Sequence, residues 1–580
     1  MRAINNIIVT ILLFNLNLIA QNLEQIEIEF APFMTFEESK PDATILTRDN
    51  TSQVHIKHEG IDMWCNQAIY YAKEDFVEAY GDVKLKQGDS LDMKSKYIEY
   101  SGKTQLAYAS GDVLLIDNNS KLYTDILYFD RIKQEAYYNE KGKVISDSSG
   151  VINSNIGRYY TKTKKYQFNN NVVLVNPEYV IETDRLDFYS VSGYAFLYGP
   201  TTITSESSII YCERGFYNTT ADNGYFVKNS RIDYDDRKIE GDSIYFDRNK
   251  NFASASNNIK VTDSINNTII KGHYAEVFKS KDSMFITKRA LAITIQENDS
   301  LYMHSDTLMI TGPSESRIIR GFYNAKIYKS DISGKADSIH MNQNSGLTQL
   351  INFYDIKIED AFSKRTRPVL WHHKNQITGD SIHLISNSKS ETLDSLKVFD
   401  NAFIVNKDSL GNGFNQISGK KLNGLFLNNK LSTIEINKNA ETIYYLRDSE
   451  NELVGIDKSK SASIKIWISE NKIDELRKLN QIDGNTYPES DFPENEKLLK
   501  GFTWREDERP KSVEELFIDD APLILPNIKG IKKTAKEIDF FNQELKKRIN
   551  NADKPNDKKV ISNKALRKLP KKNSEKKSNK

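Results

Sequence analysis

A phrase that recurs about every thirty residues, from Met63 to about Ile468, most constrains what this chain can fold into. It reads Leu122-Tyr-Thr-Asp125-Ile-Leu127-Tyr-Phe129, then Ile181-Glu-Thr-Asp184-Arg-Leu186-Asp-Phe188, then Ile239-Glu-Gly-Asp242-Ser-Ile244-Tyr-Phe246. With the Asp slot as anchor, the series runs Asn66, Lys96, Asp125, Asn155, Asp184, Glu213 and Asp242, at steps of 29 or 30 residues. It continues less regularly through His273, Asp306, Asp337, Asp380, Lys420 and Ala462, with the spacing stretching to roughly 40. A fixed period of this length predicts a stacked array of one supersecondary unit rather than a compact enzyme domain.

Each unit holds two strand-like pieces. In the anchor phrase, positions +2 and +4 are apolar or aromatic: Ile98 and Tyr100, Leu127 and Phe129, Leu186 and Phe188, Ile244 and Phe246. The second piece centres on a Gly-Asp-Val phrase, with Val77, Ala79, Gly81, Val83 and Leu85 on alternate positions, and likewise Ala107 to Leu115. Period-two alternation puts one row of side chains on a buried face and the other in solvent. Asp117-Asn-Asn-Ser-Lys121 and Asn169-Asn-Asn171 read as turns between strands. The 30 tyrosines and 27 phenylalanines against 13 prolines suit pleated sheet. The fold class is therefore all-β, an elongated repeat-built array of stacked antiparallel strands.

The recurring Ala and Gly slots admit two readings. A small residue once per strand lets the chain bend sharply, which makes a corner where one sheet folds over onto the other. It also lets a ligand chain approach the backbone.

The 80 basic and 80 acidic residues balance to a net charge of +0, so no global field points to nucleic acid. Arg2, the apolar run Ile7 to Ile19 and the Ala20-Gln21 junction have the form of an export signal. That run is too short to span a bilayer as a helix. Cys65 and Cys212 are the two cysteines, and an exported pair invites a disulfide. The repeat argues against one. Both precede an anchor, five repeats apart, on the order of 24 Å at one strand spacing per repeat, whereas bridged Cα atoms lie within roughly 7 Å.

Beyond Glu470 the alternation fades. Lys472 to Asn480 reads as a short helix, and Phe492 to Asp520 as an acidic, Pro-punctuated stretch anchored by Phe502, Trp504 and Phe517. Thr534 to Ile549 carries an amphipathic pattern, and a Lys-rich tail follows. The tail is read as solvated, with contact to anionic headgroups or peptidoglycan as the sharper alternative.

Motifs that suggest catalysis are discounted by their repetition. Gly88-Asp-Ser-Leu91 matches a serine esterase signature around Ser90, yet Gly-Asp-Ser returns at 241–243 and 379–381. An active-site serine is needed once, and no Asp-x-x-His partner accompanies this one. The eight histidines show no metal spacing, and His372-His373 offers none. Asp235-Asp236 and Asp519-Asp520 read as solvated pairs. No catalytic residue, metal or cofactor is expected.

The signal, the two-strand repeat and the Gly-Asp-Val phrases together resemble the OstA-like family, the periplasmic β-jellyroll proteins of lipopolysaccharide transport. Ala79-Tyr-Gly-Asp-Val83, Ala109-Ser-Gly-Asp-Val-Leu-Leu115, Leu122 to Phe129 and Ile239 to Phe246 carry the likeness. It is good from about Asn66 to Ile310 and weak to Ile468. The resemblance implies a twisted, semi-open jellyroll whose interior holds the acyl chains of lipopolysaccharide or a lipid A-like glycolipid. It also implies end-to-end stacking with other jellyroll transport proteins through edge strands, in the periplasm and in association with the outer membrane. The expected organisation is a signal at 1–20, OstA-like repeats at 21–325, degenerate β-repeats at 326–470, a mixed helical and extended segment at 471–549, and a disordered basic tail at 550–580.

The expected lipid-facing residues are Val83, Leu85, Ile98, Val113, Leu115, Leu127, Phe129, Val144, Leu174, Leu186, Phe188, Ile203, Ile244 and Phe246. Pattern alone does not separate a groove from a dry core. The competing reading is a structural or adhesive solenoid without lipid. A β-helix lyase or esterase would require a cluster of Asp, Lys and Arg on one outer face, which the sequence does not show.

Overall fold

The computed structural model describes residues 25–529 except 90, 118–119, 148, 235, 297–298, 353–366, 388–391, 409 and 470–471. The export signal, Ser90, the Thr534–Ile549 pattern and the basic tail lie outside the described residues. The thirty-six strands of the described residues all belong to one antiparallel sheet. From Phe76–Gln87 onward most strands are 11 or 12 residues long, and each pairs with its neighbours in sequence. Neighbouring strands lie about 4.8 Å apart, so the stack runs to more than about 100 Å. Among the described residues, no helix is long and apolar enough to cross a membrane.

Nearly every long strand bends once near its middle. The register slips between Tyr80 and Val83, Lys94 and Tyr97, Asn169 and Val172, Val227 and Ser230, and Ser256 and Ile259. At these slips alternate strands carry two consecutive residues in the left-handed region. Examples are Gly81 and Asp82 (φ 72° and 46°), Gly111 and Asp112 (79° and 51°), Asn170 and Asn171 (63° and 53°), and Asn257 and Asn258 (63° and 50°). Gly and Asn reach that region at least cost. These bulges line up strand after strand into a spine, and the sheet folds along it into two limbs. We call the limb holding Phe76–Tyr80 limb A and the limb holding Val83–Gln87 limb B.

The anchor residues sit on this spine, opposite the left-handed pairs. Asp242 accepts hydrogen bonds from Asn257 (2.6 Å) and Asn258 (2.9 Å), Glu213 accepts one from Asn229 (2.6 Å), and Asp380 accepts one from Asn401 (2.8 Å). Asn66 instead donates to Asp82 (3.2 Å), and Lys96 pairs with Asp112. The slot tolerates Asn, Lys, Glu and His because any polar side chain that reaches across one strand spacing serves. The small-residue slots are thus a corner, as the first of the two readings has it. Asn169-Asn-Asn171 is also part of the corner, inside the strand Lys165–Val175, and not a turn between strands. Gly-Asp-Ser at 241–243 and 379–381 belongs to the same device.

Two differences appear at the far end. Lys472–Leu479 is a strand paired with Ser463–Ser469, not a helix. Its helix propensity is overridden by an open sheet edge beside it and by the packing of Leu476 on the core. Residues 488–529 form an irregular strap with short 3₁₀ turns.

Cys65 and Cys212 are unpaired and fully buried on the inner face of limb B. Burial pushes both thiols up to about 12, which keeps the reactive thiolate scarce. Native protein at pH 8 should therefore resist alkylation, with two adducts appearing by mass only after unfolding; a disulfide-linked peptide in a non-reducing map would contradict this register.

Candidate functional site

The space between the limbs is one continuous apolar cluster, reaching from Ile26 to Ile466. All fourteen residues expected to face it do so, seven from each limb. Limb A contributes Ile98, Leu127, Phe129, Leu186, Phe188, Ile244 and Phe246. Limb B contributes Val83, Leu85, Val113, Leu115, Val144, Leu174 and Ile203. Thirteen are at most 2% exposed, and Phe246 alone is half-buried. Ala79 and Ala109 are fully buried two residues before the bend, each paired across the ladder with a larger interior residue, Ile98 and Leu127.

Opposite the spine, the hairpin turns of the two limbs meet along a seam. Polar side chains lace it shut. Glu59 on limb B accepts hydrogen bonds from Arg131 (3.0 Å) and Gln105 (2.6 Å) on limb A. Asp117 takes Lys164 (2.6 Å) and Tyr159. Gln87 donates to Gln134 (3.3 Å), and Gln343 donates to Thr268 (2.6 Å). Arg237 meets Asp282 (2.8 Å), while Arg317 binds Asp263 and lies 3.8 Å from Asp236. The Arg317 and Asp263 side chains are 2% and 4% exposed, so this clasp is a buried ion pair. The partners lie 42 to 75 residues apart in most of these contacts. Each turn therefore meets one from further along the chain, as the twist of the sheet requires. Asp236, read from sequence as solvated, is a seam residue that also accepts from Ser314 (2.9 Å).

The strap crosses the outer face of limb B from the last strands back toward the middle of the array. Phe492, Leu499, Phe502 and Trp504 pack on Phe403, Val405, Ile443 and Tyr445. Two buried glutamines hold its backbone. Gln376 donates to the Thr503 carbonyl and accepts from the Arg505 amide, both at 2.7 Å. Gln416 does the same with the Lys497 carbonyl (2.8 Å) and the Leu499 amide (2.9 Å). Further on, buried Lys326 donates to the Leu516 carbonyl (3.1 Å) and pairs with Asp519 (2.9 Å). The His304 ring donates from Nδ1 to the Ala290 carbonyl and meets Asp520 through Nε2, both at 2.8 Å. Asp519 and Asp520 are thus docking residues rather than a solvated pair. Burial, with Asp520 nearby, raises the neighbouring Asp306 carboxyl. Gln376 and Gln416 escaped notice in the sequence because a lone Gln on a strand carries no signal until its partner is in place.

Residues 24–184 match the OstA-like protein family. The OstA-like segment ends inside the strand Tyr179–Tyr189, yet the spine, the limbs and the apolar interior continue past it. The crystal structure of LptH from Pseudomonas aeruginosa is a similar solved structure. LptH is the LptA homologous periplasmic component of the conserved lipopolysaccharide transport device of that organism. The two are 12% identical over 23% of this chain and 93% of LptH, with a TM-score of 0.21. No curated protein matches the chain.

Two outcomes follow from this geometry. Arg317→Met leaves the buried Asp263 carboxylate without a counter-charge, held only by hydrogen bonds from Asn266, and should cost about 3 kcal/mol in urea unfolding, with most of the loss recovered by adding Asp263→Asn. Glu508 is held at about 2 by hydrogen bonding to Arg505 and then Lys335. A depressed carboxyl contributes stability that is full above its unfolded value near 4.5 and is lost as pH falls toward 2. Hydrogen exchange should therefore show strap amides near Arg505 equally protected at pH 7 and 5.5, and less protected relative to intrinsic rates below about pH 4.

Proposed function

We propose that the chain is a non-catalytic periplasmic carrier of lipopolysaccharide or a related glycolipid, serving transport toward and assembly of the outer membrane. One observation carries this reading: a single sheet, folded along a spine, encloses an apolar interior running nearly its whole length. The OstA-like match over 24–184 supports the choice of ligand and compartment. An acyl chain needs a long, featureless apolar lining and no directional polar groups, and Val83 to Phe246 supply that lining from both limbs. The seam fits the same reading, since side-chain clasps can part without breaking a strand ladder, whereas the spine is continuous backbone.

The first strands suit an end-to-end contact with another jellyroll protein. Glu27–Phe30 pairs with Val54–His58 and Phe33–Phe36 with Thr44–Thr47, and each leaves its other edge unpaired among the described residues. Phe30, Phe33, Met34 and Phe36 are all exposed there. Such an edge is a template for a partner strand.

The structural solenoid draws on a different observation, the near-complete closure of the interior around residues such as Leu186. Photocrosslinking from positions 127 and 186 to lipopolysaccharide, beside thermal unfolding of Leu186→Asp, separates the two. A carrier gives crosslinks at both positions, and Leu186→Asp loses lipid while the fold survives because an opened seam lets water reach the carboxylate. Absent crosslinks with local unfolding, at the several kcal/mol that a sealed charge costs, would establish the solenoid instead.

A further inference from the structure

The seam is not closed evenly. Between the Asp117–Lys164 clasp and the Arg317–Asp263 clasp, the interior opens to the surface at a cleft lined by Ile232, Ile239, Phe246, Phe252, Ala253 and Val277. Ile232, Ile239 and Phe246 belong to or pack against the central core, so the cleft is continuous with it. This is where Phe246, unlike the other interior positions named from sequence, reaches solvent. At rest the cleft leaves about 60 Å³ of free space, below the roughly 300–1,000 Å³ of formed small-molecule sites, so a chain that enters here must part the two limbs at the seam.

Its rim differs from the rest of the seam in charge. The turns here bring Lys279 of limb A to Ser207 of limb B at 3.0 Å. The Lys279 ammonium also lies 4.6 Å from the centre of the Tyr234 ring. Among the described residues it meets no carboxylate at ion-pair distance. The nearby acids are taken: Asp222 by Arg248 (3.3 Å) and Asp282 by Arg237 (2.8 Å). Arg248 in turn lies 5.6 Å from the Tyr179 ring and 5.7 Å from that of Phe246, at the cleft wall. Ser207 and Ser208 add hydroxyl donors. Glu206, exposed in the same turn as the two serines, brings the opposing charge.

An apolar slot ending in an ammonium and two hydroxyls has the complement of an amphiphile with a negative head. We propose that this cleft is a side port for a single acyl chain, whose anionic headgroup, carboxylate or phosphate, seats on Lys279 and the Ser207–Ser208 turn. The port rests on the carrier reading in one respect, that a chain entering here reaches the same interior.

Calorimetric titration of the full chain with dodecyl phosphate, dodecanoate and neutral decyl maltoside, all below micelle formation, tests it. Lys279→Gln, an exposed substitution, should weaken the two anions by about tenfold, the scale of one charge-assisted hydrogen bond, and leave the maltoside unchanged. Glu206→Gln should tighten both anions two- to threefold or so by lifting like-charge repulsion. Preference for the phosphate or for the carboxylate then identifies the headgroup. Anion binding that is the same in wild type and in Lys279→Gln overturns the port. Because lipopolysaccharide crosslinking at 127 and 186 is read separately, failure here leaves the carrier intact, and failure there leaves a port for small amphiphiles.

Discussion

Everything in this molecule depends on one backbone event per strand, the bend at the spine. A sheet of thirty-six strands with an apolar face is unstable in water unless that face is covered. Among the described residues no second domain or helical layer covers it. The sheet covers itself, because pairs such as Gly111–Asp112 and Asn257–Asn258 enter the left-handed region together and turn each strand back over its own inner face. The anchor side chains secure the bend from the neighbouring strand, as Asp242 does with Asn257 and Asn258. Repeating this device at a constant interval is what gives the sequence its period.

The same dependence explains what was readable in the chain. Period and alternation are consequences of local geometry, so the all-β array and the inward rows from Val83 to Phe246 were visible before any coordinates. Even the corner was visible as a run of small residues. Contacts between segments far apart leave no such trace. Asp236 looks like any turn carboxylate until Ser314 and Arg317 arrive from nearly eighty residues away. Asp519 and Asp520 look solvated until Lys326 and His304 are beneath them. Lys472–Leu479 fails for a related reason: its own residues favour a helix, and the vacant edge beside it decides otherwise. Asn169-Asn-Asn171 shows the limit of composition, since a bulge and a loop draw on the same amino acids.

The two margins of the folded sheet differ in kind, and function follows the difference. Along the spine the backbone is continuous and the hydrogen-bond ladder only slips. Along the seam the closure is made by side chains, several of them charged and partly or wholly buried. Buried ion pairs hold position more than they add stability, because desolvation offsets much of their attraction. A margin built this way sets the resting distance between the limbs while leaving their separation a matter of rotamers and counter-charges.

The strap alters how such an array comes apart and how it comes together. In a stack held by neighbour contacts alone, each repeat opens on its own account and the ends fray first. A segment fastened to Gln416, Gln376, Lys326 and Ser254 in turn joins strands that share no ladder, so opening any of them strains the others. The far half of the array thereby behaves as one cooperative block, while the half before Ser254 keeps the looser mechanics of a plain stack. The brace is also last in chain order among the described residues. The strands beneath it therefore precede it in any folding that runs from the N-terminal end, and Phe403, Val405 and Tyr445 stay uncovered on their outer face until Phe492 to Trp504 follow.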